Sequence, residues 1–179
     1  MKNNFVEVFF EYAKIIVIAL VISLLVRTYV AEARFIPSES MLPTIKIGDR
    51  LIIDKIFYEI KGNKDLQRGD IVVFDPPPAA QSNDGIPFIK RVIALPGETV
   101  SVIKGTVYIN GEPLYEPYIL EKPASDFKPY TVPGNMLFVM GDNRNHSNDS
   151  RYWGPVPVQN IIGKAEFRYF PFNDIGVLR

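Results

Sequence analysis

Residues Ser38–Thr44, with the sequence Ser-Glu-Ser-Met-Leu-Pro-Thr, mark the point where an apolar N-terminal region gives way to a β-rich body. In an extended chain, side chains two residues apart point the same way, so the hydroxyls of Ser38 and Ser40 can converge on one reacting group. Pro43 follows closely, and a proline excludes both a regular helix and a central strand here. A polar loop leaving a membrane helix has a similar composition, and on this stretch alone that alternative stays open.

An apolar segment precedes this stretch. It carries no charge over Ile15–Val26, which is short for a bilayer crossing of about 20 residues. The window Phe9–Val30 reaches that length if the charged ends of Lys14 and Arg27 extend to the headgroups. We therefore expect a transmembrane anchor within residues 1–33, followed by a β-rich domain over residues 34–179.

Two other interpretations of the N-terminal region remain. Ala31-Glu32-Ala33 has the small-x-small form of a cleavage site, as in a signal peptide that is removed. A buried helix of a soluble protein is disfavoured because the segment is apolar on every face. Lys2 and Lys14 on one side face Arg27 and Arg34 on the other, so the charges do not determine an orientation in the membrane.

Composition excludes several classes of function. The 179 residues contain no Cys, which excludes disulfides, thiolate catalysis and Cys-ligated zinc. Because 20 basic and 20 acidic residues balance without any Lys/Arg run, nucleic acid is not an expected partner. Fifteen Pro and twelve Gly in a chain that is 47% hydrophobic indicate short strands joined by turns.

The strand pattern predicts a mostly β body. The apolar and alternating segments that indicate strands are Arg50–Ile56, Ile71–Phe74, Phe88–Ala94, Thr99–Lys104, Thr106–Asn110, Met136–Met140 and Gly163–Phe170. The segments Thr99–Lys104 and Thr106–Asn110 are expected to form a hairpin about Gly105. The segment Glu112–Pro133 contains five prolines and is expected to be irregular or to hold a short edge strand.

Lys90 is a candidate general base for a serine nucleophile. It lies between Phe88 and Val92 on one face of the predicted strand, and apolar surroundings lower the pKa of an ammonium group. Lowering it from about 10.4 to roughly 8 costs about 3 kcal/mol, which partial burial can supply. A lysine that extends to solvent is the structural alternative. The single His, His146, lies in a polar loop, where nothing positions it for a Ser-His-Asp triad.

The segment Gly141–Arg151 concentrates two carboxylates and two guanidiniums among short polar side chains. Loops rich in Asp and Asn can bind calcium, but the spacing is not that of an EF-hand and the Arg side chains would repel a cation. Paired Asp and Arg residues that brace the loop fit better, and they leave Ser147 free to orient another group. The same network could equally belong to an ordinary turn.

Taken together, these motifs resemble the type I signal peptidase family. Ser38–Thr44 (SESMLPT), Phe88–Gly97 (FIKRVIALPG) and Gly141–Arg151 (GDNRNHSNDSR) occur in the family's order, along with Gly69–Phe74 (GDIVVF). With the apolar N-terminus, the resemblance covers most of the chain. Any one of these motifs is weak, whereas their succession is specific.

The resemblance implies a mostly antiparallel β body and a Ser-Lys dyad, with Ser40 as nucleophile and Lys90 as general base. It implies that Ser38 contributes to the oxyanion hole with the Ser40 backbone N–H, and that Ser147 hydrogen-bonds the Lys90 amine. The residues implied for the substrate pocket are Ile36, Pro37, Met41, Ile45, Phe88 and Ile89. Those implied for the bracing ion pairs are Arg91, Asp142, Arg144, Asp149 and Arg151.

The implied activity is removal of signal peptides from exported preproteins after small-x-small sites, with no cofactor and no metal ion. The implied location is the cell membrane, with a single span, a cytoplasmic N-terminus and an extracytoplasmic body. Ala94 and Glu98 stand where the family often has Gly and Asp, which we expect to alter turn geometry rather than chemistry. A self-cleaving peptidase with the same dyad and a non-catalytic anchored domain that binds extended peptides are the alternatives.

Overall fold

The computed structural model describes residues 3–25, 31–55, 66–80 and 85–178. They form an N-terminal helix, α1 (Asn3–Leu25), followed by strands and one short helix, α2 (Ser150–Trp153). The strands are β1 (Ala31–Phe35), β2 (Arg50–Asp54), β3 (Ile71–Phe74), β4 (Phe88–Ala94), β5 (Thr99–Ile103), β6 (Thr106–Ile109), β7 (Glu112–Pro113), β8 (Phe127–Thr131), β9 (Met136–Met140), β10 (Val156–Pro157), β11 (Ile161–Phe170) and β12 (Gly176–Val177).

Helix α1 presents apolar side chains to its surroundings rather than to a core. Phe9, Ile15 and Leu20 are each about 60% exposed. Among the described residues, no helix combines the length and the hydropathy that a membrane crossing requires. The predicted span was Phe9–Val30, and its last part, residues 26–30, lies outside the described residues.

The prediction of a mostly β, antiparallel body is confirmed. The larger sheet has the order β1-β2-β11-β3-β4-β9-β10, with β12 paired to β11, and the smaller sheet has the order β7-β6-β5-β8. Every strand pair in both sheets is antiparallel. Strand β4 lies inside the larger sheet, between β3 and β9, and its residues from Ile89 to Ala94 are all buried.

The predicted hairpin about Gly105 joins β5 to β6, with Ile103 opposite Thr106. Its two turn residues, Lys104 and Gly105, have φ angles of 48° and 77°. A two-residue hairpin turn of this kind requires positive φ at both positions, and glycine adopts such angles without a steric cost.

Two parts of the fold differ from the sequence-based expectation, and a third agrees with it. Strand β1 begins at Ala31 and pairs along its length with β2, so the predicted domain boundary at residues 33/34 falls inside a strand. The proline-rich segment contains strand β8 at the edge of the smaller sheet, which is one of the two outcomes expected for it, and Pro129 is tolerated there because no further strand pairs with β8 on its outer side. The polar segment Gly141–Arg151 was expected to be a braced loop, but its last two residues lie in helix α2, which is capped by the Asp149 side chain.

Apolar side chains from both faces of the larger sheet fill the core. One cluster contains Val72, Phe74 and Val92, and another contains Met41, Ile45 and Ile89. A third joins the end of β4 to the smaller sheet through Ile93 and Ala94. Since β3 and β4 are covered on both faces, a charged residue in β4 is removed from water by its neighbours, which sets the environment of Lys90.

Candidate active site

The nucleophile candidate Ser40 lies at the start of a tight turn after β1. The turn is closed by a hydrogen bond from the Ile45 N–H to the Met41 carbonyl at 2.9 Å. Met41 and Ile45 are fully buried, so they hold the turn against the core. Ser40 is 7% exposed, which places its hydroxyl at the bottom of a cleft rather than at the surface.

Lys90 and Ser40 meet, although 50 residues separate them in sequence. The Lys90 Nζ lies 2.9 Å from the Ser40 Oγ and also donates to the Ile89 carbonyl at 2.9 Å. The Ser38 Oγ is 3.4 Å from the Ser40 Oγ, so the two hydroxyls do converge as the alternation of an extended chain predicts. These distances are those of a nucleophile with an adjacent base.

Burial lowers the pKa of Lys90 from 10.5 to about 8. The side chain is enclosed in β4, with its Nζ 5.5 Å from the centre of the Phe88 ring, and removal from water disfavours the charged amine. The carboxylates of Asp149 and Asp142 act in the opposite direction and raise this pKa, but burial dominates. A substantial fraction of Lys90 is therefore neutral in mildly alkaline solution, as a general base requires.

The loop that follows β9 holds the turn over residues 40–45 in place, and we call this turn the nucleophile turn after the candidate Ser40. The Asn143 N–H donates to the Ser40 carbonyl at 3.1 Å, and the Asn143 Nδ2 donates to the Glu39 carbonyl at 3.2 Å. A side chain at Gly141 would overlap both the Ser40 carbonyl and the Ser147 hydroxyl. This position therefore requires glycine because of close packing, and the loop and the turn form one unit.

Ser147 is near this unit but does not make the implied hydrogen bond. Its hydroxyl is buried and has no hydrogen-bond partner among the described residues, while the Lys90 amine donates to Ser40 and to the Ile89 carbonyl. The implied hydrogen bond between Ser147 and Lys90 is therefore not formed, because the amine hydrogen bonds run to Ser40 and to the carbonyl of Ile89 in its own strand. A buried hydroxyl without a partner is costly, which marks Ser147 as a group available to a ligand or a water molecule.

Buried ion pairs brace the loop. Arg91 donates two hydrogen bonds to Asp142, at 2.8 and 2.6 Å, and Asp142 also accepts from Thr44 in the nucleophile turn. Arg151 forms a similar two-bond pair with Asp149, which in turn accepts from the Gly141 N–H at 3.0 Å. The structure therefore brings together the predicted Arg and Asp residues around the nucleophile turn and the loop after β9.

The partner of Arg144 was not anticipated from the sequence. Arg144 pairs with Glu116 at 2.6 and 3.0 Å, and its Nε donates to the Gly141 carbonyl at 3.0 Å. Tyr118 donates to the same Glu116 carboxylate and lies under the Arg91 guanidinium. Burial, and then the neighbouring Glu116, raise the pKa of Tyr118 above its usual value, so the phenol stays neutral. The proline-rich segment thus contributes to the bracing network.

A cleft of about 410 Å³ opens onto Ser40 and Lys90. Four of the six residues implied for the substrate pocket line it, and we call these four the floor: Ile36, Pro37, Phe88 and Ile89. Met41 and Ile45 do not line it, because they are packed in the core. Further lining residues that the sequence did not suggest are Arg34, Phe35, Val73, Ile86, Pro87 and Asn148.

The single histidine lies at the edge of this cleft. The His146 Nδ1 is 3.6 Å from a Glu39 carboxylate oxygen, and the imidazole is 61% exposed. No hydrogen bond joins it to Ser40 in the described part of the chain, where Ser40 Oγ instead contacts Lys90 and Ser38. Over the same residues, no group of three or more metal-binding side chains is found. The basic group that contacts the Ser40 hydroxyl within the described residues is the Lys90 amine.

The comparisons with known proteins all indicate the same family. A family model described as "Signal peptidase, peptidase S26" matches residues 9–170. The chain is 52% identical over 171 residues to the "Probable signal peptidase I-1" of Synechocystis, covering 94% of this chain and 86% of that protein. It is also 52% identical over 171 residues to a "Signal peptidase I" of Leptolyngbya laminosa, and this match covers 94% of the chain and 83% of that protein.

A more distant relative extends the match to another group of bacteria. The "Signal peptidase I" of Bacillus licheniformis is 38% identical over 177 residues, which cover 93% of this chain and 91% of that protein. The family model and these relatives span nearly the whole chain, including the nucleophile turn, β4 and the loop after β9. The chain therefore belongs to the signal peptidase family, peptidase S26, and is a serine peptidase that removes signal peptides from preproteins.

Proposed function

We propose that this peptidase cuts after small-x-small sites with Ser40 as nucleophile and Lys90 as the only general base. The observation that carries the proposal is the 2.9 Å separation of the Lys90 Nζ and the Ser40 Oγ at the base of the cleft. Burial lowers the Lys90 pKa to about 8, so the amine can accept the hydroxyl proton without help from a histidine.

The proposed reaction has two stages. The Ser40 Oγ bonds to the scissile carbonyl carbon while its proton passes to the Lys90 Nζ. The Ser38 hydroxyl and the Ser40 backbone N–H stabilise the oxyanion, and collapse breaks the C–N bond as Lys90 returns the proton to the leaving amine. A water molecule that Lys90 deprotonates then attacks the acyl carbon, which releases the signal peptide and restores the Ser40 hydroxyl.

The lining of the cleft supports a preference for small apolar side chains. Its floor is apolar, and Ile36 and Ile89 are only 4% and 8% exposed, so they pack closely against their neighbours and offer no polar side-chain partner to a substrate. An extended substrate presents alternate side chains to such a floor, which fits a site with small residues at two positions separated by one. Preprotein segments that carry this pattern are the proposed substrates.

We also propose that the protein is attached to the cell membrane through its N-terminal region. The apolar side chains of α1 are exposed, and a lipid bilayer is the environment in which such a surface is stable. In this arrangement the N-terminus is cytoplasmic and the β body lies on the opposite side, where exported preproteins emerge. Enzyme and substrate then share one membrane, which raises their effective concentration.

Purified protein with its N-terminal helix, incubated with a preprotein that carries an Ala-x-Ala site, tests the dyad. Ser40→Ala should leave no cleavage because no acyl-enzyme can form. Lys90→Met should lower kcat by about 10²- to 10⁴-fold because it removes the base. The matched controls are Ser101→Ala, a buried serine of β5, and Lys128→Met, an exposed lysine of β8, both of which should cleave normally.

Cleavage by the folded Lys90→Met protein at the wild-type rate would reject the proposed base. Circular dichroism of each variant establishes that a loss of activity is not a loss of fold. If Ser40→Ala retains cleavage while Ser101→Ala loses it, the nucleophile assignment is wrong.

A further inference from the structure

Two exposed side chains face each other at the edge of the cleft, and we call them the rim pair. Glu39 lies between the two active-site serines, and His146 belongs to the loop after β9. Their side chains are 54% and 61% exposed, and both residues line the cleft that contains Ser40 and Lys90. The structural interactions described above do not require the Glu39 carboxylate, since only its backbone carbonyl is bound by Asn143.

Within the described residues, the Glu39 carboxylate lacks a permanent counter-ion. Its ion-pair partner there is His146, which is charged only if protonated. The other charged residues that line the cleft are committed elsewhere: Arg34 pairs with Glu32 at 2.6 Å, and Lys90 is buried beside Ser40. A negative charge therefore stands at the mouth of the cleft when the imidazole is neutral.

The geometry of an extended substrate brings particular side chains to this charge. If the two small residues of a small-x-small site face the apolar floor, alternation turns the intervening residue away from it. The first residue after the scissile bond is also turned away, because it follows an inward-facing residue. Glu39 and His146 are exposed and line the same cleft, so they are the charged groups that such outward side chains would meet if they lie on the rim side of the substrate.

We propose that Glu39 selects substrates by the charge of these two outward-facing residues, favouring Lys or Arg over Asp or Glu, and that His146 moderates the selection. This inference rests on the proposed cleavage after small-x-small sites. The interaction is between exposed groups, so the preference is modest and is weakened by salt. Glu39 is then a specificity-determining residue, whereas the catalytic steps belong to Ser40 and Lys90.

Peptides with one Ala-x-Ala site test the proposal. One set carries Lys, Gln or Glu at x, and a second set carries them at the first residue after the cut, with all other positions fixed. The readout is the ratio of kcat/KM for the Lys peptide to that for the Glu peptide, measured at low and high salt. Because both values come from the same preparation, the ratio does not depend on how much of a variant is folded.

We expect the wild-type ratio of kcat/KM, Lys peptide over Glu peptide, to be about five in at least one set at low salt. This ratio should fall towards one at high salt. Glu39→Gln should bring the ratio close to one, and His146→Lys should also reduce it by giving Glu39 a permanent partner. Glu166→Gln, a control on β11 with a 45% exposed side chain, removes the same charge away from the cleft and should keep the wild-type ratio.

A wild-type ratio near one in both sets, or a ratio that Glu39→Gln leaves unchanged, would overturn the inference. Failure of the wild type to cleave even the Gln peptides would instead count against the proposed cleavage after small-x-small sites. The two failures are therefore distinguishable in one experiment.

Discussion

At the residue scale, the requirement for a neutral Lys90 has a cost in stability. The folded-state pKa of Lys90 is about 8 and that of a free lysine is 10.5, so between these values the unfolded chain binds a proton that the folded chain does not. The free energy of unfolding should therefore rise with pH across this window. Below about pH 8 both states are protonated, and burial of the charged amine costs the folded state about 3 kcal/mol.

Replacement of Lys90 with Met should remove this cost in stability while lowering kcat by about 10²- to 10⁴-fold. We expect Lys90→Met to be more stable than the wild type by about 3 kcal/mol at pH 7, and the difference to shrink towards zero as the pH approaches about 10.5. Urea unfolding at both pH values measures it, with Lys128→Met as the exposed control. A variant that is less stable than the wild type at pH 7 would show that the amine hydrogen bonds outweigh its burial.

Residue-scale prediction from the sequence succeeded where local patterns constrain the chemistry. Alternation placed Ser38 and Ser40 on the same side, and the apolar neighbours of Lys90 indicated a lowered pKa, both in agreement with the observed geometry. The hydrogen bonding of Ser147 could not be predicted, because it depends on how a polar loop packs against a turn 100 residues away. The same holds for Asn143, whose amide binds that turn.

At the scale of elements, the loop after β9 and the nucleophile turn depend on the absence of a side chain at residue 141. Gly141→Ala should displace the Ser40 carbonyl or Ser147, because the added Cβ has no room between them. We expect a loss of preprotein cleavage of at least about 10²-fold, since small misplacements of reacting groups cost that much. Gly134→Ala is the control, because a Cβ there meets no atom within 4 Å.

Wild-type activity in the Gly141→Ala protein would show that the loop can move without disturbing the dyad. A measured free energy of unfolding for both glycine variants separates a local displacement from a general loss of structure. Local displacement is the expected result, with activity falling much further than stability.

The proline-rich segment acts on the same loop through Glu116. Its carboxylate is 6% exposed and pairs with Arg144, which is fully buried. Glu116→Gln should lower the free energy of unfolding by about 3 kcal/mol, because it leaves a buried guanidinium without a counter-ion. Glu166→Gln breaks a pair whose side chains are 37% and 45% exposed and should cost less than about 1 kcal/mol. Equal losses in urea unfolding would contradict the assignment of Glu116 as the buried partner.

Element prediction followed turn chemistry closely, and its errors came from incomplete use of it. Asn110 and Gly111 have φ angles of 51° and 87° and turn β6 into β7, a hairpin that the Asn-Gly pair could have indicated. The edge strand β8 was one of two outcomes expected for the proline-rich segment, because Pro129 is compatible with an edge strand but does not specify one. The pairing of Glu116 with Arg144 spans 28 residues and has no local signal in the sequence.

At the scale of the whole molecule, the order of strands could not be read from the chain. Strand β11 lies between β2 and β3, so the end of the chain joins two strands from its first half. The fold class follows from strand patterning, but this closure depends on contacts between distant segments. Ile161 and Ala165 of β11 belong to the same apolar clusters as Val92 and Ile89 of β4, so this closure contributes to the burial that surrounds Lys90.

The proposed attachment to the membrane makes the last prediction. Ile18 and Val21 are 51% and 54% exposed on α1, in the apolar part of the helix. A lysine near the centre of a membrane-inserted helix costs about 2.5–3.5 kcal/mol, so the double variant Ile18→Lys/Val21→Lys should move the protein from the membrane pellet to the soluble fraction after an alkaline carbonate wash. It should cleave a membrane-inserted preprotein more slowly while still cleaving a short soluble peptide, since the dyad is unchanged. Ile18→Leu/Val21→Leu is the matched control and should remain in the pellet. Retention of the lysine variant in the pellet would show that the β body, rather than α1, holds the protein at the membrane.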